Sequence, residues 1–133
     1  MDYDVKITDN SAAILREVEQ KTAAALEAIG ITAEAYAKML TPVNTGRLRS
    51  SISHTVKGDA VYIGSNVPYA PYHEWGSGIF ATDGQGRKSP WAFQDSKGKW
   101  HYTRGVKPRH MLKKAASEHD KEYKAIIEEI LKK

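Results

Sequence analysis

The feature that most constrains the fold is a 30-residue stretch, residues 11–40, with the pattern of one long amphipathic helix. Asp9, Asn10 or Ser11 can cap its start, and Thr41-Pro42 ends it because the residue before a proline avoids helical geometry. At 1.5 Å per residue the helix is about 45 Å long, more than the width of a compact domain of this size. Part of it should project or bend, with Gly30 as the predicted weak point. Its apolar residues recur every three, four or seven positions, at Ile14, Val18, Ala25, Ile29, Ala33, Tyr36 and Leu40.

After Pro42 the pattern changes from helical to extended. Residues 44–46 predict a turn in which Thr45 caps a short helical turn over residues 47–50. Residues 51–57 and 60–64 alternate apolar and polar side chains on either side of Gly58-Asp59, which predicts a β-hairpin. Residues 72–75 predict a brief helical turn that ends at Gly76.

Aromatic residues mark a second predicted hairpin, with strands at 91–93 and 100–102 around a turn at 95–98. From Pro108, at a favoured first helical position, to Lys133 the spacing predicts a second amphipathic helix. The order predicts an α+β fold, in which a long N-terminal helix and a C-terminal helix pack on a small antiparallel sheet built from two hairpins. We expect residues 1–133 to form one domain, with residues 76–107 as a flexible loop-hairpin insertion.

Charge is distributed unevenly along the chain. The net charge is +4, and it divides into −3 for residues 1–40, +6 for residues 41–110 and +1 for residues 111–133. A basic middle can face DNA phosphates, an acidic protein surface or water. Nucleic-acid binding is therefore the alternative function that the sequence leaves open.

The composition argues against several other classes of protein. The chain has no cysteine, which rules out disulfides, thiolate nucleophiles and cysteine-based zinc sites. No apolar run approaches the roughly 20 residues that cross a bilayer, so no membrane partner is expected. Residues 1–5 lack the basic and apolar regions of a secretory signal, which predicts retention in the cell that makes the protein.

Candidates for catalysis are few. His73-Glu74 is the nearest to a metal-hydrolase pair, but adjacent residues point in different directions and would need further ligands from elsewhere. His101, His110 and His119 lie nine residues apart, a spacing that matches no helical face. The acidic residues of the middle segment occur singly in turns, which disfavours a two-metal nuclease. The sequence therefore predicts no catalytic residue, no metal ligand, no cofactor and no small-molecule substrate.

Three blocks of sequence together resemble a known phage family. TPVNTGRLRSSI at 41–52 is similar to the family's TPVDTGRLRxSI block, and VYIGS at 61–65 with YAPYHEWG at 69–76 resembles VGTNVxYAxYxEFGT. KPRHMLKKA at 107–115 resembles xPRPFLRPA. This is the gene-product-ten-like family of long-tailed phages of the HK97 type, known as minor structural, head-tail joining or tail-completion proteins. The chain departs from the pattern at Asn44, Trp75 and His110-Met111, where Asp, Phe and Pro-Phe are usual.

The resemblance implies a virion or prophage protein, made in the host bacterial cytoplasm and located in the neck or tail of the particle. It implies no catalytic activity and assembly as a ring, such as a hexamer, beside neighbouring neck and tail proteins. Such a position would bring the chain into transient proximity to DNA.

The residues predicted to contact other subunits are two arginines and five aromatic residues. The arginines could pair with acidic residues of the first helix or anchor a neighbouring subunit, because guanidinium groups form bidentate carboxylate pairs. The aromatic residues could also stack on single-stranded nucleic acid or belong to the core, the latter above all for Tyr72 and Trp75. The predicted contact residues are Arg47, Arg49, Tyr69, Tyr72, Trp75, Trp91 and Trp100.

Overall fold

The long helix predicted from the sequence is continuous in the computed structural model, which describes residues 9–43, 46–95 and 97–132. Helix α1 spans Ser11–Leu40, and its first backbone N–H, at Ser11, donates to the Asp9 carboxylate at 2.9 Å. It ends at Thr41, whose hydroxyl donates to the Ala37 carbonyl at 2.6 Å. Residues 11–20 are all exposed, so the predicted projection beyond the core is present.

Gly30 does not act as a weak point, which corrects the sequence-based expectation. The helix runs through it, and Gly30 is buried beneath the neighbouring strands. A Cβ atom here would lie 2.5 Å from His54 Cδ2 and 2.9 Å from Val61 Cγ2. The position is glycine because a hairpin approaches the helix closely there.

The first hairpin forms as predicted, from β1 (Ser53–Lys57) and β2 (Ala60–Gly64) around Gly58-Asp59. The strands are antiparallel, with His54 opposite Ile63 and Val56 opposite Val61. These four side chains share the less exposed face, which packs on α1.

Two short helices flank this hairpin. Helix α2 spans Arg47–Ser51 and helix α3 spans Ala70–Trp75, ending at Gly76 as predicted. Asn44 and Thr45, the predicted turn and cap before α2, lie outside the described residues.

The second hairpin comprises β3 (Trp91–Gln94) and β4 (Trp100–Thr103), preceded by a 3-10 turn at Gly78–Phe80. It confirms the predicted aromatic hairpin, although Ser96 of its turn lies outside the described residues. The two hairpins form separate two-stranded sheets rather than one common sheet, because β3 and β4 stand away from α1.

The predicted C-terminal helix is in fact two helices, and it starts later than expected. Helix α4 spans Met111–Ser117 and helix α5 spans Asp120–Leu131. The break lies at His119, whose ring stacks on Tyr36 of α1 with centroids 3.5 Å apart. Across the break, the Tyr123 hydroxyl donates to the Ala115 carbonyl. Because of the break, α4 and α5 can both pack along α1, and the His119 ring between them packs on Tyr36 of α1.

The core is small and lies between α1, α2, α3 and α4. One cluster contains Leu48, Val67, Ala70 and Met111, and a second contains Ala37, Ile52 and Ala115; Leu112 packs against both. The predicted α+β class, with a long N-terminal helix, a C-terminal helical region and two hairpins, is confirmed. Within the part of the chain that the structure describes, no helix combines the length and apolarity of a membrane span.

Candidate functional site

A wide groove of about 1270 Å³ opens between helices α2 and α3 and the second hairpin. Its lining residues run from Pro42 to Val106 along the chain and include five tyrosine, tryptophan or phenylalanine residues. Five of the seven residues predicted from the sequence as subunit contacts line this groove: Arg47, Tyr69, Tyr72, Trp75 and Trp91.

The helical wall comes from α2 and α3. Tyr69, Tyr72 and Trp75 are three residues apart, so they follow one side of α3. Tyr69 is partly buried against the core cluster of Leu48, and the Arg47 guanidinium lies 5.6 Å from the centre of its ring. Tyr72 and Trp75 are exposed, so neither is the plain core residue that the sequence left open. This wall therefore exposes two aromatic rings.

The opposite wall is the inner face of the second hairpin. Trp91 and Phe93 alternate along β3 and line the groove. The Arg87 guanidinium lies 5.6 Å from the Trp91 ring centre, and the His101 ring stacks on Phe93 at 5.3 Å. Each wall of the groove thus carries an arginine placed over an aromatic ring, which holds a positive charge beside apolar surface.

The hairpin is joined to the helical wall by backbone hydrogen bonds at its base. Ser77 N–H donates to the Val106 carbonyl at 2.9 Å, and Ile79 N–H donates to the Arg104 carbonyl at 3.0 Å. The segment around Gly78 crosses the segment around Gly105 at these glycines. A Cβ atom on Gly78 would lie 2.0 Å from the Arg104 carbonyl oxygen. The close crossing therefore requires glycine at position 78.

Glu74 ties the helical wall to the C-terminal helices. It is buried, and its two carboxylate oxygens accept hydrogen bonds from the backbone N–H groups of Leu112 (2.9 Å) and Lys113 (3.0 Å). These are orphan donors of the first turn of α4, so Glu74 caps that helix from a distant part of the sequence. Both oxygens are engaged, which argues against a general-base role.

His73 is the other residue of the His73-Glu74 pair that the sequence suggested as the nearest to a metal-hydrolase site. Burial lowers the pKa of its imidazole, and the Arg109 guanidinium lowers that pKa further. Its Nδ1 atom is buried. Across residues 9–43, 46–95 and 97–132, no group of three or more His, Asp or Glu side chains is arranged to hold a metal ion.

Arg49 and Trp100, the other two predicted contacts, lie outside the groove. Residues 47 and 49 sit on a helix, so their side chains diverge, and Arg49 donates to the Thr41 carbonyl at 3.0 Å. This bond ties α2 to the end of α1, an intramolecular role. Trp100 is on the outer face of the second hairpin with Tyr102, and both are exposed.

The anchor of the first hairpin is His54, which the sequence did not predict as a contact residue. His54 Nε2 lies 2.6 Å from Glu27 Oε1, and His54 Nδ1 lies 3.1 Å from Glu34 Oε1. The hydrogen bond to Glu27 raises the pKa of His54, against the effect of burial, and the bond to Glu34 raises it further. The sequence did contain a hint of this contact. His54 and Val56 are two residues apart on β1, so they point to the same face, and the preceding helix is acidic.

A model of one protein family matches residues 6–76, just over half of the 133-residue chain. The family is described as "Bacteriophage HK97-gp10, putative tail-component". The match includes α2 and α3, and so the whole helical wall of the groove. No curated protein and no solved structure matched the chain.

Proposed function

We propose, because this chain belongs to the HK97-gp10-like family of bacteriophage tail components, that it is a non-enzymatic structural subunit acting in head-tail joining or tail completion. The family match is the observation that carries this proposal. It supports a place in the virion, in contact with other phage structural proteins.

The surface of the molecule supports a role in assembly. A compact monomer of 14.8 kDa exposes about 7000 Å², whereas this protein exposes 9909 Å². Half of the ten buried hydrophobic residues in the described segments are alanines, which contribute little apolar area. Much of the surface of the larger apolar side chains is therefore left exposed, where it can be buried against partners.

We further propose that the subunits form a ring, such as a hexamer, at the neck or tail. A ring needs heterologous contacts, in which one patch of each subunit meets a different patch of the next. The aromatic groove is suited to be one of these patches, because aromatic and arginine side chains are enriched in protein interfaces. Neighbouring neck or tail proteins would contact the faces that the ring leaves open.

Deletion of the gene from its phage or prophage tests the proposal. We expect separate heads and tails, or tails of incomplete structure, in electron micrographs of lysates, and the chain should be found in purified wild-type particles. Complementation with the Tyr72→Ser, Trp75→Ser double variant should fail. Tyr62→Ser, an equally exposed tyrosine on the first hairpin, is the matched control and should complement. Normal particles from the deletion strain would refute the proposal.

Nucleic-acid binding is the second candidate, because residues 76–110 hold seven Lys or Arg against two Asp. Arg47 and Arg87 already cover the Tyr69 and Trp91 rings, so bases would have to displace them to stack there. Titration with duplex and single-stranded DNA at about 50 and 200 mM salt separates the two functions. Phosphate binding predicts an affinity that falls steeply with salt, whereas a purely structural subunit shows weak binding at both concentrations.

A further inference from the structure

The projecting part of α1 carries an apolar stripe that has no cover in the described structure. Ile14, Leu15 and Val18 are 58%, 61% and 49% exposed. At 100° per residue they lie within one third of the helix circumference and continue the stripe that is buried further along, at Ala25 and Ile29. The same pattern that packs the second half of α1 into the core is thus presented to the outside by residues 11–20.

Two glutamates flank this stripe. On the helical wheel, Glu17 lies beside Ile14 on one edge and Glu19 lies beside Leu15 on the other, while Arg16 points to the opposite side. Glu17 also pairs with Lys21 at 3.2 Å, one turn along the helix. The projecting segment is therefore an apolar strip between two carboxylates, one of which is already paired with Lys21.

The groove has the complementary arrangement. It offers aromatic rings between two walls, with Arg47 on one wall and Arg87 on the other. Asp83 and Asp95 also line the groove and keep their charge, but residues 76–110 hold seven Lys or Arg against two Asp, so the segment around the groove is net positive. A helix segment of ten residues is about 15 Å long and 10 Å wide, and a groove of about 1270 Å³ has room for a segment of that size.

A single molecule cannot bring these two features together. The stripe lies near the first residue of α1, whereas the groove begins at Pro42 and Val43, directly after its last residue. The intervening helix is continuous and holds them about 36 Å apart. Only a second copy of the chain can place its projecting helix in the groove.

We propose that α1 residues 11–20 of one subunit dock in the aromatic groove of the next, so that the subunits join head to tail. The inference rests on the proposed function, since it specifies the contact that would repeat around the ring. Because donor and acceptor surfaces differ, each added subunit presents a fresh groove or a fresh helix, and assembly stops only when the ring closes. Helix-in-groove docking uses anchors spaced by three, four or seven residues, and the spacings Ile14 to Val18 and Leu15 to Val18 are four and three.

Cysteine cross-linking tests the contact directly, because the natural chain contains no cysteine. A chain with both Leu15→Cys and Tyr72→Cys, mildly oxidised at high concentration, should give a ladder of covalent dimers, trimers and larger species. Each single variant alone should stay monomeric, and an equal mixture of the two should stop at a mixed dimer. Leu15→Cys with Tyr62→Cys is the control, since Tyr62 is as exposed as Tyr72 but does not line the groove, and it should give no ladder.

Two outcomes would overturn the proposal. A dimer from Leu15→Cys alone would show that projecting helices pair with each other. Absence of a ladder from the double variant, beyond that of the control, would show that the groove does not receive the helix.

A charge exchange tests the flanking pairs. Glu17→Lys with Glu19→Lys, or Arg47→Glu with Arg87→Glu, should each reduce the yield of the cross-linked ladder at least about tenfold. All four changes in one chain should restore it, and equal loss in the fourfold variant would contradict the pairing.

These results separate the inference from the proposed function. A chain present in particles and required for joining, yet giving no ladder, would refute only the helix-in-groove contact. A ladder from a chain that the phage does not need would leave the contact standing and refute the function.

Discussion

Glu74 shows how one side chain can join two distant segments of this protein. It belongs to α3, yet it accepts hydrogen bonds from the first turn of α4, 38 and 39 residues later. Its neighbour Trp75 lines the groove, and its ring meets the His110 ring edge-on at 5.7 Å. The position of the groove wall and the start of α4 are therefore set by the same residue.

We expect Glu74→Ala to lower the free energy of unfolding by about 1–3 kcal/mol, because two buried N–H donors lose their acceptors. Glu74→Gln keeps one acceptor oxygen and should lose less. Urea denaturation measures both changes, with Glu129→Ala, an exposed glutamate of α5, as control. A Glu74→Ala variant as stable as the control would contradict the capping role.

His54 should make the stability of the protein depend on pH. Its pKa is raised from the ordinary 6.5, chiefly by the hydrogen bond to Glu27. Burial raises the pKa of Glu34, but its bonds from His54 and Lys38 outweigh burial and leave the pKa below the ordinary 4.5. The stabilisation is therefore fully present between about pH 4.5 and 6.5 and is lost as pH rises through the raised pKa of His54.

The difference in unfolding free energy between the natural chain and His54→Gln should accordingly be largest near pH 5.5 and shrink toward pH 8.5. Chemical denaturation at a series of pH values measures it. A difference that stays constant across this range would mean that folding does not change the pKa of His54.

At the scale of elements, α1 organises the fold by its close fit to the first hairpin. Gly30 is the point of closest approach, with His54 held over it by Glu27 and Glu34. A substituent there cannot be accommodated by simple rotation of the His54 ring, because both ring nitrogens are engaged.

We expect Gly30→Ala to destabilise the protein even though alanine is the better helix former. The helix gains about 1 kcal/mol, but the new Cβ overlaps His54 and Val61, and overpacking costs about 1–3 kcal/mol. In a His54→Ala background the penalty should shrink, since the nearer of the two obstacles is gone. Thermal or urea unfolding of the natural chain, the two single variants and the double variant measures this. A stabilised Gly30→Ala single variant would show that the hairpin can move away.

At the scale of the whole molecule, apolar surface is divided between a small core and a large exposed area. Met111 is fully buried, whereas Trp100 and Tyr102 are 65% and 86% exposed on the outer face of the second hairpin. Two aromatic side chains in that position contribute little to the stability of the monomer, because folding removes little of their surface from water.

We therefore expect Trp100→Thr with Tyr102→Thr to change the free energy of unfolding by no more than about 0.5 kcal/mol. Met111→Ala should cost about 2–5 kcal/mol. Denaturant midpoints of the monomer compare the two. A large loss of unfolding free energy from the exposed pair would show that it stabilises the fold. It would contradict the interface role that the sequence predicts for Trp100.

Local patterns in the sequence determined most of the elements. The long helix, both hairpins and the short helix ending at Gly76 follow from periodicity and turn residues, which act between near neighbours. Arg47 and four of the predicted aromatic contact residues also line one groove, whereas the exposed Trp100 lies outside it.

Only the tertiary structure decided the features that depend on distant segments meeting. The reason for Gly30, the break at His119, the separation of the two hairpins and the capping by Glu74 each arise from contacts between residues far apart in sequence. Likewise, the pattern of residues 11–20 is that of a buried helix face, and only the folded chain shows that this face has no cover within the described molecule. Local spacing determines which face of a helix is apolar, but the rest of the fold decides whether anything packs on it.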